Sequence, residues 1–414
     1  MQADALVVGA GPAGAMAALV LARAGVTVRI VDRAEFPRDK LCGDTLNPGS
    51  LAILDRHGIG ARVRERALAI RGMTVTGPGN ASVSADYPDE LHGAALTRRD
   101  LDTILLEAAV DAGAEFTPGV AVRAPLLGPA KAGHYVPNVR SVRLQPDRDG
   151  PDVRGVRLQP DPDAVTGVRI AASGREHDWP ARVVIAADGR HSTLAFALGL
   201  ANYAASPRRW AFGTYYTGVS GGGPYGEMHV RADGYIGVAP LPGDLTNLCV
   251  VRELRNNPIA SASRMNAEDT IASAIASDPW LRERFAAGRQ VSPITVLGPL
   301  AVEARAAGCP GLLLAGDAAG FIDPMTGDGM RFALRGGELA AEAALRELQS
   351  GVPAFQHLQA ARAREFSGKW RVNRALRALV ASPRGVSLAA SVAARWSAPV
   401  RLLIGIAGDV KLCR

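Results

Sequence analysis

Three clusters of small and acidic residues are spaced to hold a nucleotide. The first is Gly9-x-Gly11-x-x-Gly14, near the start of the chain, with Asp32 eighteen residues beyond Gly14. Gly9 permits a tight turn, Gly11 lets a pyrophosphate approach the backbone, and Gly14 lets a helix pack close to a strand. Pro12 and Ala13 open that helix, whose free amides and positive dipole end suit phosphate. Asp32 is placed to accept a ribose hydroxyl, with Arg33 beside it. The second cluster is Ala187-Asp188-Gly189 at the end of an apolar run. The third is Gly316-Asp317 through Pro324 to Gly327-Asp328-Gly329-Met330.

The elements around these residues follow from the pattern. DALVVGA (4–10) and TVRIVD (27–32) read as strands, and AGAMAALVLARAG (13–25) reads as the helix between them. This is a βαβ start, and by itself it does not separate NAD from FAD. The later segments decide for FAD. Leu312–Ala315 reads as a strand that delivers Asp317 to a sheet edge, where it would accept a ribityl hydroxyl. A helix starting at Gly327-Asp328-Gly329 would aim its positive end at a flavin ring.

With these segments in order, the chain resembles the geranylgeranyl reductase-like family, within the p-hydroxybenzoate hydroxylase fold group. The resemblance rests also on Arg38-x-Lys40-x-Cys42-Gly43 and Ala187-Asp188-Gly189-x-x-Ser192, and it spans residues 5–340. It implies an α/β fold: a Rossmann-like FAD-binding domain of the p-hydroxybenzoate hydroxylase type, an inserted antiparallel-sheet substrate domain and a helical C-terminal tail. The FAD domain is expected over 1–72, 96–200 and 291–350, the substrate domain over 73–95 and 201–290, and the tail over 351–414, with breaks at Pro383 and Pro399. The resemblance also puts Lys40, Cys42 and Gly43 near the flavin and Arg99, in TRRDLD, near the ribityl or pyrophosphate. Cys42 is a candidate proton source, or simply a small buried residue. Where many relatives carry Arg, three residues after Ser192, this chain has Ala195.

The implied chemistry is NAD(P)H-dependent reduction of a C=C bond in a lipophilic, isoprenoid-like substrate. The same fold hosts monooxygenases that hydroxylate aromatic or polyketide-like substrates through a flavin C4a-hydroperoxide. The run Phe321-Ile-Asp-Pro-Met-Thr-Gly327 leans towards reductases. Flavin halogenases carry W-x-W-x-I-P, whereas Tyr235–Pro240 has neither tryptophan. A non-catalytic electron carrier would need a second redox centre, and no iron–sulfur cysteine pattern exists.

Composition bounds the rest. The 414 residues are 48% hydrophobic and 21% charged, a globular composition. Four cysteines without a CxxC pair fit a reducing compartment, and seven scattered histidines suggest no metal site. The opening stretch lacks a basic n-region, and no run of 18 apolar residues follows, so a cytoplasmic protein is expected. The net charge of +7 is concentrated in Ala361–Arg414, where eleven basic residues face two acidic ones. That tail, with Trp396, Val400, Leu402, Leu403 and Ile404 alongside Arg395 and Arg401, suits peripheral contact with an anionic membrane. Nothing points to nucleic acid, and the oligomeric state is not readable. Finally, VRSVRLQPD (139–147) recurs as VRGVRLQPD (153–161), so 133–164 reads as an inserted loop without a core of its own.

Overall fold

The computed structural model describes residues 3–40, 43–78, 81–128, 164–172, 174–204, 208–254, 264–321, 325, 327–380, 396, 404–406 and 408–409. Cys42, Pro324, the 139–161 repeat, Pro383 and Pro399 lie outside the described residues.

The helices are α1 (Pro12–Arg23), α2 (Pro48–Arg56), α3 (Gly60–Arg66), α4 (Arg98–Asp111), α5 (Thr193–Ala197), α6 (Arg264–Ser277), α7 (Gly329–Ser350) and α8 (Phe355–Val380). The main sheet runs, in order, Gly308–Cys309, Leu312–Leu314, Arg175–Ala186, Ala3–Val8, Val28–Val31 and Glu115–Thr117. All neighbours are parallel except the first pair. Parallel strands covered on both faces are apolar throughout, which is why Leu6, Val7, Ile30, Ile185 and Leu313 are buried without alternation. α1 and α7 pack together on this sheet. They approach so closely that a methyl added at Gly337 would lie 2.3 Å from the Ala13 carbonyl oxygen.

The second large sheet runs Arg289–Gln290, Arg209–Thr217, Leu245–Glu253, Gly234–Leu241, Tyr225–Arg231, Gly72–Thr76 and Ser82–Asp86, with Thr295–Leu297 added to Arg209–Thr217. Its strands alternate. Trp210, Phe212, Ile236, Val238, Leu248 and Val250 pack under α6, while Ala211, Tyr215, Tyr235, Asn247 and Val251 belong to the opposite face.

Two expectations need correcting. The substrate sheet is mixed rather than antiparallel, because Tyr225–Arg231 pairs parallel with Gly72–Thr76. The boundary at residue 291 falls inside this sheet, since Thr295–Leu297 hydrogen-bonds to Arg209–Thr217 before the chain returns to the FAD domain. The repeat-bearing segment springs from a hairpin: Ala121–Gly128 and Ala164–Ala172 are antiparallel, with Gly128 opposite Ala164.

Candidate active site

The strand registers bring the three clusters to one place. Val8 is level with Val31 and Ala186, and Ala186 with Leu314. The residues that follow, Gly9, Asp32, Asp188 and Asp317, therefore share the carboxyl edge of the main sheet, where open α/β sheets bind ligands.

Each glycine of the first turn has a visible reason. Gly9 has φ +100°, and a methyl there would lie 2.5 Å from the Ala187 carbonyl oxygen, so the ADG segment crosses directly over the turn. A methyl at Gly14 would lie 1.8 Å from the Gly9 carbonyl oxygen. Gly11 is different: the nearest atom to an added methyl is Arg38 Nη2 at 3.6 Å, so the space before α1 is open. No side chain caps α1, and no acidic residue sits in its first turn. Its first amides, including that of Ala13 after Pro12, are left for an anion.

Asp32 fastens the turn. Its carboxylate accepts from the amides of Ala10 (2.8 Å) and Ala34 (2.9 Å). Asp188 accepts from the Thr193 amide at 2.9 Å, while its Oδ1 is buried without a hydrogen-bond partner. Burial raises the Asp188 pKa against the pull of Ser192, Thr193 and Arg33. Gly189 has φ +86° with open space beside it. These features fit a ribose and a pyrophosphate: free amides, a buried acceptor lacking a donor, and glycines whose missing side chains leave room.

Lys40 lies among the charged groups of this edge, close enough to Asp317, Arg98, Arg38 and Asp102 to feel them. The protein around it lowers its pKa, as do Arg98 and Arg38, against Asp317 and Asp102. Its side chain is nonetheless exposed, and solvent moderates the shift.

On the far side, Gly316 (φ +59°) begins a short 3-10 turn, Gly316–Ala319, which carries Asp317. Gly327 (φ +67°) faces open space and leads through Asp328 into α7 at Gly329-Met330. A methyl at Gly43 would lie 2.9 Å from Met330 Cε and 3.4 Å from Arg98 Nη1. The Gly43 loop, the start of α7 and the start of α4 thus meet. Asp328 is less available than expected: Lys369 of α8 lies 2.5 Å from its Oδ1, which also accepts from Asn47 Nδ2 at 3.3 Å.

Arg99 requires correction. Its side chain is half exposed and pairs loosely with Asp39 at 3.4 Å. Arg98 is the buried one, clamped to Asp102 at 2.8 Å, with Arg38 joining Asp102 at 2.9 Å. The R-x-x-L-D spacing in fact begins at Arg98, so the sequence held the signal one residue earlier.

Sequence reasoning missed a buried polar cluster at the junction of the two sheets. Asp44 Oδ2 accepts from Tyr215 Oη (3.0 Å) and Asn247 Nδ2 (2.6 Å), and Oδ1 accepts from the Arg98 amide (3.1 Å). Beside it lies a buried apolar cluster of Ile70, Tyr87, Ala95, Leu241 and Ile404, with Tyr215 packed against it. Asp44 follows Cys42-Gly43 and was within reach of inspection, whereas Tyr215 and Asn247 arrive from 171 and 203 residues away.

Comparison with known proteins follows the same lines. Residues 2–127 match the FAD binding domain family model. The menaquinone reductase of Mycobacterium tuberculosis (strain ATCC 25618 / H37Rv) is 30% identical over 363 residues, covering 82% of this chain and 76% of that protein. The digeranylgeranylglycerophospholipid reductase of Methanoculleus marisnigri is 25% identical, over 90% of this chain and 82% of its own. The solved structure of a geranylgeranyl bacteriochlorophyll reductase-like protein from Thermoplasma acidophilum superposes with a TM-score of 0.74 at 21% identity, covering 95% of this chain and 92% of that one. Flavin-dependent halogenases share the fold as well.

Proposed function

Because the chain belongs to the geranylgeranyl reductase-like family of FAD-dependent oxidoreductases, we propose that it reduces C=C bonds of a lipophilic, isoprenoid-like substrate with electrons from NAD(P)H. The observation that carries this reading is that the Gly43–Met330 corner of the FAD site adjoins apolar packing, the cluster of Ile70, Tyr87, Ala95, Leu241 and Ile404 reached through Asp44 and Tyr215. A polyprenyl chain offers only apolar surface and isolated double bonds, and burying that surface supplies about 25 cal/mol per Å².

The chain's own residues divide the work. The open amides of α1 and the Gly11 gap hold the pyrophosphate, and Asp32 and Asp188 take hydroxyls of the adenosine end. The start of α7 places a positive dipole end at the ring and favours negative charge there. Bound FAD supplies hydride transfer, from the nicotinamide donor to the alkene.

The test is anaerobic. The enzyme is reduced with NADPH and then mixed with a polyprenyl alkene. Reoxidation with formation of the saturated product supports the reading. Indifference to alkenes together with hydroxylated product in air overturns it in favour of a monooxygenase.

The exposed Trp396 and the basic tail support peripheral membrane docking, although Ile404 is buried in the apolar cluster. Among the described residues no helix is long and apolar enough to cross a membrane. Flotation with anionic vesicles, compared with neutral ones, checks the docking; equal recovery on both removes it.

A further inference from the structure

The alkene reduction proposed above needs a proton as well as a hydride, and no group considered so far supplies one from within the described structure. We propose that Asp44 and Tyr215 form the proton relay: Asp44 passes a proton to Tyr215 Oη, and Tyr215 delivers its own to the alkene carbon. This inference rests on the alkene-reductase reading.

The placement is specific. Asp44 is 4% exposed and directly follows Gly43, where an added methyl would meet both Met330 at the start of α7 and Arg98 at the start of α4. Tyr215 is only partly buried and lies on the same face of its strand as the apolar cluster, hydrogen-bonded to Asp44 through its hydroxyl and packed on that cluster along its ring. It is thus a part-exposed hydroxyl that joins the apolar cluster to a buried acid. Asn247 and the Arg98 amide fix the carboxyl group, so its second oxygen stays aimed at Tyr215.

Burial pushes Asp44 up to about 6, partly offset by the hydrogen bond from Tyr215, the charge and amide of Arg98, and Asn247; Tyr215 and Arg98 are the titratable and charged groups facing it. Burial and the Asp44 carboxylate push Tyr215 far above the ordinary tyrosine range. A tyrosine held so high does not release a proton alone. It passes one only if it receives one in the same step, and Asp44 is the neighbour able to give it. With Asp44 ionised, the Tyr215 hydroxyl points at the carboxylate. With Asp44 protonated, the direction reverses and the Tyr215 hydrogen is free for a substrate at its exposed side.

The balance is complete. The hydride forms a C–H bond at one alkene carbon while the π bond breaks, and FAD is left oxidised. The Tyr215 proton forms the second C–H bond, the Asp44 proton moves to Tyr215, and solvent reprotonates Asp44. NAD(P)H then restores the reduced cofactor.

Asp44→Asn and Tyr215→Phe test the relay, each removing one step with little change of volume. Enzyme reduced anaerobically by dithionite is mixed with a polyprenyl alkene at several pH values in H2O and D2O. The expected result is alkene-driven reoxidation slowed about 100-fold or more in both variants, with FAD content kept. The wild-type rate falls with rising pH and shows a solvent isotope effect, and both features vanish in the variants. Independently of turnover, the infrared carbonyl band of a protonated carboxyl should titrate near 6 in the wild type and be missing from Asp44→Asn. Variants that reoxidise at the wild-type rate, or a band that persists in Asp44→Asn, overturn the relay while leaving the reductase reading intact. A wild type whose reduced cofactor no alkene reoxidises overturns that reading, and the relay falls with it.

Discussion

Lys369 on α8 places its ammonium 2.5 Å from Asp328 Oδ1, the carboxylate that immediately precedes α7. Both side chains are nearly buried, at 10% and 4% exposed. The helical tail therefore reaches back and neutralises an acid that would otherwise oppose negative charge at the start of α7. Burial lowers the Lys369 pKa, and the Asp328 charge pulls it back up.

Removing Lys369 strands the buried Asp328 charge without this cation, while the hydrogen bond from Asn47 stays. Lys369→Met is expected to cost about 3–5 kcal/mol in urea unfolding. Adding Asp328→Asn should return a large part of that loss, because the stranded charge goes with it. A double variant no more stable than Lys369→Met would show that the loss came from packing of α8 instead.

The glycines of the first turn should separate folding from cofactor binding. Gly11 faces open space, with Arg38 Nη2 the nearest atom to an added methyl at 3.6 Å. Gly11→Asp should fold with a near-normal melting temperature yet be colourless, because its carboxylate would occupy the pyrophosphate position. A loss of about 3 kcal/mol in FAD binding corresponds to roughly 100-fold in Kd. Gly14→Ala should instead lower the melting temperature, since the methyl would lie 1.8 Å from the Gly9 carbonyl oxygen. A yellow Gly11→Asp protein would refute the placement of the pyrophosphate.

That contrast also shows what was legible in sequence. Gly9, Gly11, Gly14 and Asp32 are local: one turn and one strand set them, and they lie at the sheet edge as their spacing implies. The Asp44 cluster is not local. Tyr215 and Asn247 gain their neighbour only when two strands of the second sheet close on the Gly43 loop. Lys369 likewise finds Asp328 only through the docking of α8 on α7. The mixed character of the second sheet was hidden for the same reason, because the parallel partner of Tyr225–Arg231 comes from residues 72–76. Arg98 and Arg99 are adjacent, and helical phase rather than residue type decides which one turns inward.

The pH dependence of stability should carry the signature of Asp44. Burial raises its folded pKa to about 6, above the roughly 3.9 of an unfolded aspartate. Between these values the native chain keeps a proton that the unfolded chain has released. Its contribution therefore falls as pH rises from about 4 to 6, and the full loss, about 3 kcal/mol, is in place above that window. Asp44→Asn removes this group. The stability of the variant relative to wild type should rise by about 3 kcal/mol between pH 4 and pH 7 in urea unfolding. A constant difference across that range would show that Asp44 is ionised throughout.

The hairpin that carries the internal repeat offers a last test. Gly128 and Ala164 are register partners, so the chain leaves and re-enters the sheet at adjacent points. Two antiparallel strands with that spacing need only a two-residue turn, for which Asn-Gly is suited. Replacing residues 129–163 with Asn-Gly should leave the FAD site untouched, because its residues hang on the parallel strands of the main sheet. The expected product is a yellow protein with wild-type FAD content and a melting temperature equal to or slightly above that of the full chain, since a shorter loop costs less closure entropy. Loss of soluble protein on this replacement would mean that the repeat is part of the folding unit rather than an appendage to it.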